Sequence, residues 1–224
     1  TKLYADGYEA DDVIGTLAKK AEKEGFITYM MTSDKDFAQL VSENILLYRP
    51  GNKWKPTEVW GVKEVLAKFE ITEVSQVIDF LGMMGDSVDN IPGLPGVGEK
   101  TAKKFLAQYG TMENLLSNTD QLKGKLKEKI ENNKDKGILS KKLATILLDA
   151  PVELIEKDLK IQKFNSEKVT SLFEELEFRT LAKRLLSKEP INQESIDKVD
   201  VPKKVSTNQF DLFSQQSEQT TELS

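Results

Sequence analysis

The hydrophobic positions of the first fifty residues follow two different periods. Helical spacing between residues 9 and 24 predicts an amphipathic helix that ends at Gly25. The apolar side chains of that helix are Val13, Ile14, Leu17, Ala18 and Ala21. Short apolar runs then predict strands at 27–31 and 45–48, with a short helix at 35–41 between them. This β-α-β alternation indicates a parallel sheet covered by helices.

The rest of the chain has a different pattern. Residues 50–56 contain Pro, Gly, Asn and Trp and predict a turn or hairpin, and from about residue 57 onward only helices are expected. The predicted helices span residues 57–69, 73–83, 98–109, 111–117, 120–132, 134–148 and 166–186. We therefore expect an α/β domain at 1–90, an all-α domain at 91–187 and a tail at 188–224. Residues 205–224 include 12 Ser, Thr, Asn or Gln and no helical stripe, which predicts a disordered linker.

Composition narrows the possible chemistry. The 224 residues include neither Cys nor His, which excludes disulfides, thiolate and imidazole metal sites, Ser-His-Asp triads and Cys nucleophiles. No apolar run approaches the roughly 20 residues of a membrane span, so a soluble protein is expected. The net charge of −5 is unevenly distributed: residues 1–90 carry −6, residues 91–150 carry +4 and residues 151–224 carry −3. A basic segment after an acidic one is typical of a metal site beside a phosphate-binding surface.

Seven carboxylates occupy three short clusters, each at a predicted element boundary. They are Glu9, Asp11 and Asp12; Asp34 and Asp36; and Asp86 and Asp89. The second cluster follows the strand at 27–31, where ligands of open parallel sheets gather. Helix capping is the alternative explanation for the first cluster, because acidic residues favour the first turn of a helix. Oxygen-only ligand sets suit Mg²⁺ or Mn²⁺, and two such ions about 4 Å apart would activate water and stabilise both oxygens of a phosphodiester displacement.

A glycine-rich turn follows the third acidic cluster. The segment 91–101 contains Gly93, Gly96 and Gly98 and opens a basic helix. Glycines at this spacing let the backbone approach a DNA strand, and the amides entering the helix are able to donate to phosphate oxygens. An ordinary Gly/Pro connection between helices is the alternative. The later lysines Lys123, Lys125, Lys127 and Lys129 are interpreted as a solvated helix face.

The chain resembles a known nuclease family. The segments GYEADDVIGTLAKKAEKEG, TSDKDFAQL, FLGMMGDSVDNIPGLPGVGEKTAKKFL and FEELEFRTL look like the 5′→3′ exonuclease domains of bacterial DNA polymerase I enzymes, in the flap endonuclease superfamily. The resemblance covers residues 7–186. It implies a PIN-like α/β nuclease domain with a helix-three-turn-helix (helix-hairpin-helix type) DNA clamp. It also implies removal of 5′ flaps and RNA primers with Mg²⁺ in the bacterial cytoplasm, at the nucleoid.

The resemblance assigns roles by motif position. All seven carboxylates fall on the family's metal-site acids, with Glu9, Asp12 and Asp34 nearest the more tightly held ion and Asp86 and Asp89 near the second. The resemblance places Gly96, Val97, Gly98, Lys100 and Thr101 on the DNA-contacting turn. The sequence of the turn and of the basic helix adds Gly93, Lys103 and Lys104 to the predicted DNA-binding residues. In this superfamily the turn often also holds a monovalent cation such as K⁺.

One departure from the family affects the expected activity. Family members have about a hundred more residues before the EADD motif, which supply the first sheet strands, two further aspartates and a helical arch. Only residues 1–6 precede the matching segment here. We therefore expect a chain that binds duplex DNA through residues 91–150 but cleaves poorly. A non-catalytic DNA-binding module and a PIN-type ribonuclease are the alternative functions.

The tail contains one further motif. The segment 209–213, Gln-Phe-Asp-Leu-Phe, resembles the pentapeptide with which bacterial replication proteins bind the sliding clamp. Leu212 and Phe213 would fill an apolar pocket and Gln209 would anchor them. A passive linker is the alternative.

Overall fold

The computed structural model describes residues 1–186. These residues form two compact units, 1–160 and a second that begins at Ile161. The sheet of the first unit has the spatial order β1 (Thr28–Met31), β2 (Ile45–Arg49) and β3 (Glu58–Trp60). The predicted division of the chain at residue 90 stays a prediction.

The sheet is mixed rather than purely parallel. β1 and β2 run parallel with Thr28 opposite Ile45, which confirms the predicted β-α-β unit. β3 is antiparallel to β2, with Trp60 opposite Leu47. The expectation of helices alone from residue 57 is therefore wrong at β3. The hairpin predicted at 50–56 returns the chain along β2, where three residues pair before the next helix begins.

The α-helices of the described residues follow the predicted order with different boundaries, except that a short helix at 156–159 lies where none is predicted. They are α1 (Ala10–Lys23), α2 (Val62–Phe69), α3 (Gln76–Met84), α4 (Glu99–Tyr109), α5 (Met112–Ser117), α6 (Gly124–Glu131), α7 (Lys134–Ala144), α8 (Glu156–Leu159), α9 (Ser166–Glu175) and α10 (Arg179–Leu186). The predicted short helix at 35–41 is a single 3₁₀ helix, Asp36–Leu40. No helix within residues 1–186 is long and apolar enough to cross a bilayer.

Three helix predictions need correction. The helix predicted at 120–132 is a 3₁₀ turn followed by α6, and the one predicted at 134–148 ends at Ala144. The helix predicted at 166–186 is two helices, because Glu177 adopts a left-handed conformation with φ 54°. Within this second unit the rings of Phe173 and Phe178 lie 6.1 Å apart across the break.

One hydrophobic core joins the sheet to the helices of residues 1–160. It extends from Ala18 of α1 through Leu47 of β2 and Met83 of α3 to Ile130 of α6. Leu47, Met83 and Ile130 have no exposed side-chain surface. A close-packed core of this kind has low compressibility, so the elements that carry the acidic clusters and the glycine turn belong to one packed unit.

Buried and half-buried polar side chains attach the segment 144–150 to α1 and the 3₁₀ helix. Asp12, Thr16 and Gln39 each accept a backbone N–H of this segment, at 2.8–3.1 Å. Gly15 permits the close approach, since a Cβ there would lie 2.9 Å from Ile146 Cγ2. The predicted apolar face of α1 is accordingly shifted, and Gly15 and Thr16 are buried while Ile14 is 39% exposed.

Candidate active site and nucleic-acid interface

The three acidic clusters lie within electrostatic reach of one another. Partial burial raises the pKa of Asp11, and the negative charges of Asp34, Glu9, Asp12 and Asp89 raise it further. These neighbours come from α1, from the loop after β1 and from the loop after α3. The structure thus brings together acids that are up to about eighty residues apart in the sequence.

Asp36 is the most strongly perturbed of the acids. Burial raises its pKa to about 6, and the charges of Asp34, Asp86 and Asp89 act in the same direction. Its Oδ1 atom is buried and has no hydrogen-bond partner. A buried carboxylate oxygen without a donor is costly unless a cation neutralises it. Asp36 Oδ1 is therefore chemically suited to coordinate a divalent metal ion.

The local sequence explains how the acids are presented. Asp34 follows the carboxyl end of β1, and its Oδ1 accepts the N–H of Asp36 at 2.9 Å, which closes a tight loop. Asp86 repeats this geometry by accepting the N–H of Val88 at 2.8 Å. Asp86 and Ile91 then exchange both backbone hydrogen bonds, at 2.9 and 2.7 Å, and define the loop that carries Asp89.

Asp12 differs from the other acids. Its side chain is buried, its Oδ2 accepts the N–H of Glu9 at 3.1 Å and its Oδ1 accepts the N–H of Leu147 at 2.8 Å. Asp12 therefore caps the N-terminus of α1, as the helix-capping alternative expects, and this is part of its role. Glu9 is exposed at the N-cap of α1.

The acids do not form a closed metal cage. No group of three or more Asp or Glu residues among residues 1–186 has the arrangement needed to hold one ion. The oxygen chemistry of the acids suits a divalent cation, and Mg²⁺ in proteins commonly takes further ligands from water or from a substrate phosphate.

Lys35 is a residue that the sequence analysis missed. Its Nζ lies 3.3 Å from Asp86 Oδ2. The Val88 N–H and this ammonium hold the pKa of Asp86 below its usual range. Lys35 also lines an open cleft of about 580 Å³ together with Asp86, Ser87 and Asn90. Its position between Asp34 and Asp36 in the sequence is the signal that would have found it.

The glycine turn has a buried base and an exposed tip. Gly93 is buried, and its N–H donates to Ser140 Oγ of α7 at 2.9 Å. The N–H of the buried Val97 donates to Leu94 at 3.0 Å. Gly96 and Gly98 are exposed. The tip therefore presents backbone to solvent while the base anchors the turn to α7.

The predicted DNA-contacting lysines are not equivalent. Lys100 and Lys104 are exposed on α4, and Thr101 is half-buried beside them. Lys103 pairs with Glu70 at 2.9 Å and with Glu99 at 3.0 Å, which raises its pKa. Two carboxylates already neutralise Lys103, so Lys100 and Lys104 offer the more available charge to a phosphate. The proposed clamp-binding residues Gln209, Leu212 and Phe213 lie outside the described residues.

Two family models match consecutive parts of this chain. The model described as 5′-3′ exonuclease, N-terminal resolvase-like domain, matches residues 1–70. The model described as 5′-3′ exonuclease, C-terminal SAM fold, matches residues 72–167. The chain therefore belongs to the 5′-3′ exonuclease family. This confirms the family resemblance and the α/β-plus-helical fold class.

Bacterial DNA polymerases are among its relatives. DNA polymerase I of Bacillus subtilis is 45% identical over 179 residues, which cover 80% of this chain and 20% of that protein. The thermostable DNA polymerase I of Thermus filiformis is 43% identical over 182 residues, covering 80% of this chain and 21% of that protein. The chain spans about a fifth of the length of these relatives.

Solved structures of phage T5 nucleases share the fold. T5 5′-exonuclease with bound divalent zinc ions has a TM-score of 0.52 at 20% identity, covering 62% of this chain and 50% of that one. T5 flap endonuclease in a pseudo-enzyme-product complex with DNA and metal ions has a TM-score of 0.53 at 20% identity, with the same coverage. At this identity the likeness shows the fold.

The perturbed carboxyl of Asp36 leads to a stability prediction. The pKa of Asp36 is higher in the folded chain than its usual value, so the protonated carboxyl stabilises the folded state. This contribution to the free energy of unfolding is fully present below about pH 4 and is lost as the pH rises through about 6. Asp36→Asn is expected to raise the free energy of unfolding by about 1–2 kcal/mol near pH 7.5 in the absence of divalent ions. This is less than the full pKa shift would give, because water screens part of the repulsion around a half-buried carboxylate. Urea unfolding across this pH range measures the effect.

Magnesium provides a second readout for the same variant. Millimolar Mg²⁺ is expected to raise the melting temperature of the wild-type chain, because a ligand that binds only the folded state stabilises it. Asp36→Asn should show a smaller rise. Equal pH profiles and equal Mg²⁺ responses for the two chains would contradict a cation role for Asp36.

Proposed function

We propose that this chain is the 5′→3′ exonuclease and 5′-flap endonuclease region of a bacterial DNA polymerase I, acting on DNA or RNA-primer phosphodiesters at the nucleoid. The observation that carries the proposal is that acids from all three clusters raise the pKa of Asp11 or Asp36, in the same unit as an exposed glycine turn. Membership of the 5′-3′ exonuclease family and similarity to DNA polymerase I relatives support the same proposed function.

The proposed metal ligands are the seven acids, with Glu9, Asp12 and Asp34 nearest the more tightly held ion and Asp86 and Asp89 near the second. Two Mg²⁺ or Mn²⁺ ions, when bound, would supply the Lewis acidity for phosphodiester hydrolysis. The unpartnered Asp36 Oδ1 supports this assignment. Asp12 would orient the site through its bonds to the backbone of Glu9 and Leu147, in addition to any metal contact.

The proposed substrate is duplex DNA that carries a 5′ flap or an RNA primer. Exposed backbone at Gly96 and Gly98 and the free charges of Lys100 and Lys104 suit phosphates rather than bases, so binding should ignore sequence and fall with salt. Gly93 and Val97 would support the turn from beneath. A K⁺ ion at the turn and a sliding clamp bound to the tail are further parts of the proposal.

A non-catalytic DNA-binding module is the second candidate. It is favoured by the lack of any three-acid group with metal-ligating geometry in the described part of the chain. We accordingly expect strong duplex binding and weak cleavage from this chain by itself. Binding needs only the glycine turn and its lysines, whereas hydrolysis also needs the acids to coordinate metal ions.

Cleavage of a labelled 5′-flap duplex with Mg²⁺ tests the proposed function. The wild-type chain should bind the duplex and release little product, and Asp34→Ala should abolish the metal-dependent part, because Asp34 is an exposed acid of the cluster. Asp158→Ala removes the same charge from α8, outside the three clusters, and should cleave as the wild type does. Metal-dependent cleavage that survives in Asp34→Ala would refute the assignment of the acids.

A further inference from the structure

Helix α6 lies directly against the exposed tip of the glycine turn. A Cβ placed on Gly96 would lie 3.7 Å from each of three side-chain atoms: Leu126 Cδ1, Lys129 Cδ and Lys129 Nζ. The ammonium of Lys129 is therefore adjacent to the backbone of Gly96, which has φ +87° and is exposed. Lys129 is exposed, as the interpretation of a solvated helix face expects, and it also lies beside the glycine turn.

The sequence of α6 explains why Lys129 takes this position. Ile130 is fully buried and Leu126 half-buried, so these two residues define the face that packs on the rest of the unit. Lys129 is three residues after Leu126 and therefore lies on the same side of the helix. Its Cδ and its Nζ both lie beside Gly96, as expected of a lysine whose aliphatic stem follows an apolar surface.

Lys129 is available for an anionic ligand. Among residues 1–186 no carboxylate pairs with it, and it is exposed. Lys127, two residues earlier, has Glu131 at 3.8 Å, and Lys134 donates to the carbonyl of Leu116 at 2.7 Å. Lys127 and Lys134 therefore have internal partners, whereas Lys129 lies beside the glycine turn without one among the described residues.

We propose that Lys129 is a phosphate-binding residue of the glycine turn, so that α6 and the turn bind the same DNA strand. The inference rests on the proposed duplex binding and adds to it a residue that neither the motif nor the family resemblance assigns. Glycine at position 96 leaves room for a phosphate to approach the backbone, and Lys129 of α6 neutralises that phosphate together with the lysines of α4. Each neutralised phosphate releases condensed counterions, so the contribution is measurable as salt dependence.

Anisotropy of a fluorescent flap duplex, without divalent ions, tests this assignment. Lys129→Met keeps the aliphatic contact with Gly96 and removes the charge. It should weaken binding about fivefold to tenfold at moderate salt and reduce the slope of log K against log salt by about 1. Lys127→Met is the matched control on the same helix, and its affinity should stay within about twofold of the wild type. Lys129→Arg should retain binding.

The outcomes separate this inference from the proposed function. Equal affinities and slopes for Lys129→Met and Lys127→Met, with salt-dependent binding of the wild type, would overturn the role of Lys129 and leave duplex binding intact. A wild-type chain that shows no salt-dependent binding would overturn both. Melting temperatures of the two variants within a few degrees of the wild type show that the fold is unchanged, which we expect because Lys129 is exposed and Lys127 is only half-buried.

Discussion

Gly93→Ala is expected to lower the free energy of unfolding by about 4 kcal/mol, from left-handed backbone strain together with overpacking. Gly93 has φ +64°, and a Cβ there would lie 2.7 Å from the backbone N of Gly85 and from both C and O of Met84. These atoms belong to the backbone, so no side-chain rotation relieves the clash. Separating them would also disturb the hydrogen bond from the Gly93 N–H to Ser140.

Thermal unfolding measures this effect, with Gly98→Ala as the matched control. For a chain of this size about 4 kcal/mol corresponds to a fall in melting temperature of roughly 10 °C. Gly98 has negative φ, and a Cβ there would meet no atom within 4 Å. Gly98→Ala should therefore change stability by less than about 1 kcal/mol. It should still weaken DNA binding if Gly98 approaches a phosphate. Similar melting temperatures for the two variants would contradict the packing argument.

Asp12→Ala is expected to lower the free energy of unfolding by about 3 kcal/mol. The substitution removes a buried carboxylate that accepts two backbone N–H groups, from Glu9 at 3.1 Å and from Leu147 at 2.8 Å. Hydrogen bonds to charged groups contribute about 1.5–3 kcal/mol each. Relief of repulsion with Asp11 offsets part of the loss, since the charge of Asp12 raises the pKa of Asp11.

Urea unfolding of Asp12→Ala beside Asp89→Ala tests the structural role of Asp12. Asp89 is an exposed acid of the third cluster, so its removal should change stability by less than about 0.5 kcal/mol. Asp12→Asn keeps one carbonyl oxygen and should fall between the two. If Asp12→Ala and Asp89→Ala are equally stable, the bond to Leu147 does not contribute as described.

The two acids also require different interpretations of activity data. Loss of cleavage in Asp12→Ala would report unfolding as well as metal binding, because the same carboxylate attaches the segment 144–150 to α1. Loss in an Asp34 or Asp89 variant would report on the site itself. Stability measurements therefore need to accompany every kinetic comparison among the seven acids.

Elements with strong local signals are the ones that the sequence predicts well. α1, β1 and β2 lie within one or two residues of their predicted positions because hydrophobic period and a terminal glycine are properties of short segments. β3 was missed because its three residues are specified by pairing with β2 rather than by their own pattern. The break at Glu177 was missed because a non-glycine residue adopts the left-handed conformation there.

In the candidate site, too, local features are predicted from the sequence and long-range contacts are not. Motif spacing predicts which acids and glycines matter, since the clusters follow element ends and the turn has its own glycine pattern. Whether a given side chain is available depends on partners that lie far away in the chain. Asp12 bonds to Leu147, and Lys103 pairs with Glu70, at separations of 135 and 33 residues. No local pattern contains such information.

The sequence by itself determined the family, the α/β-to-helical order of elements, and the positions of the acidic clusters and the glycine turn. These features depend on periodicity, composition and short motifs, which act over one or two turns of chain. Only the tertiary structure decided that Asp36 keeps an unpartnered buried oxygen and that Lys129 lies beside Gly96 with its charge free. The physical reason is that burial and ion pairing are set by the packing of distant segments around one core.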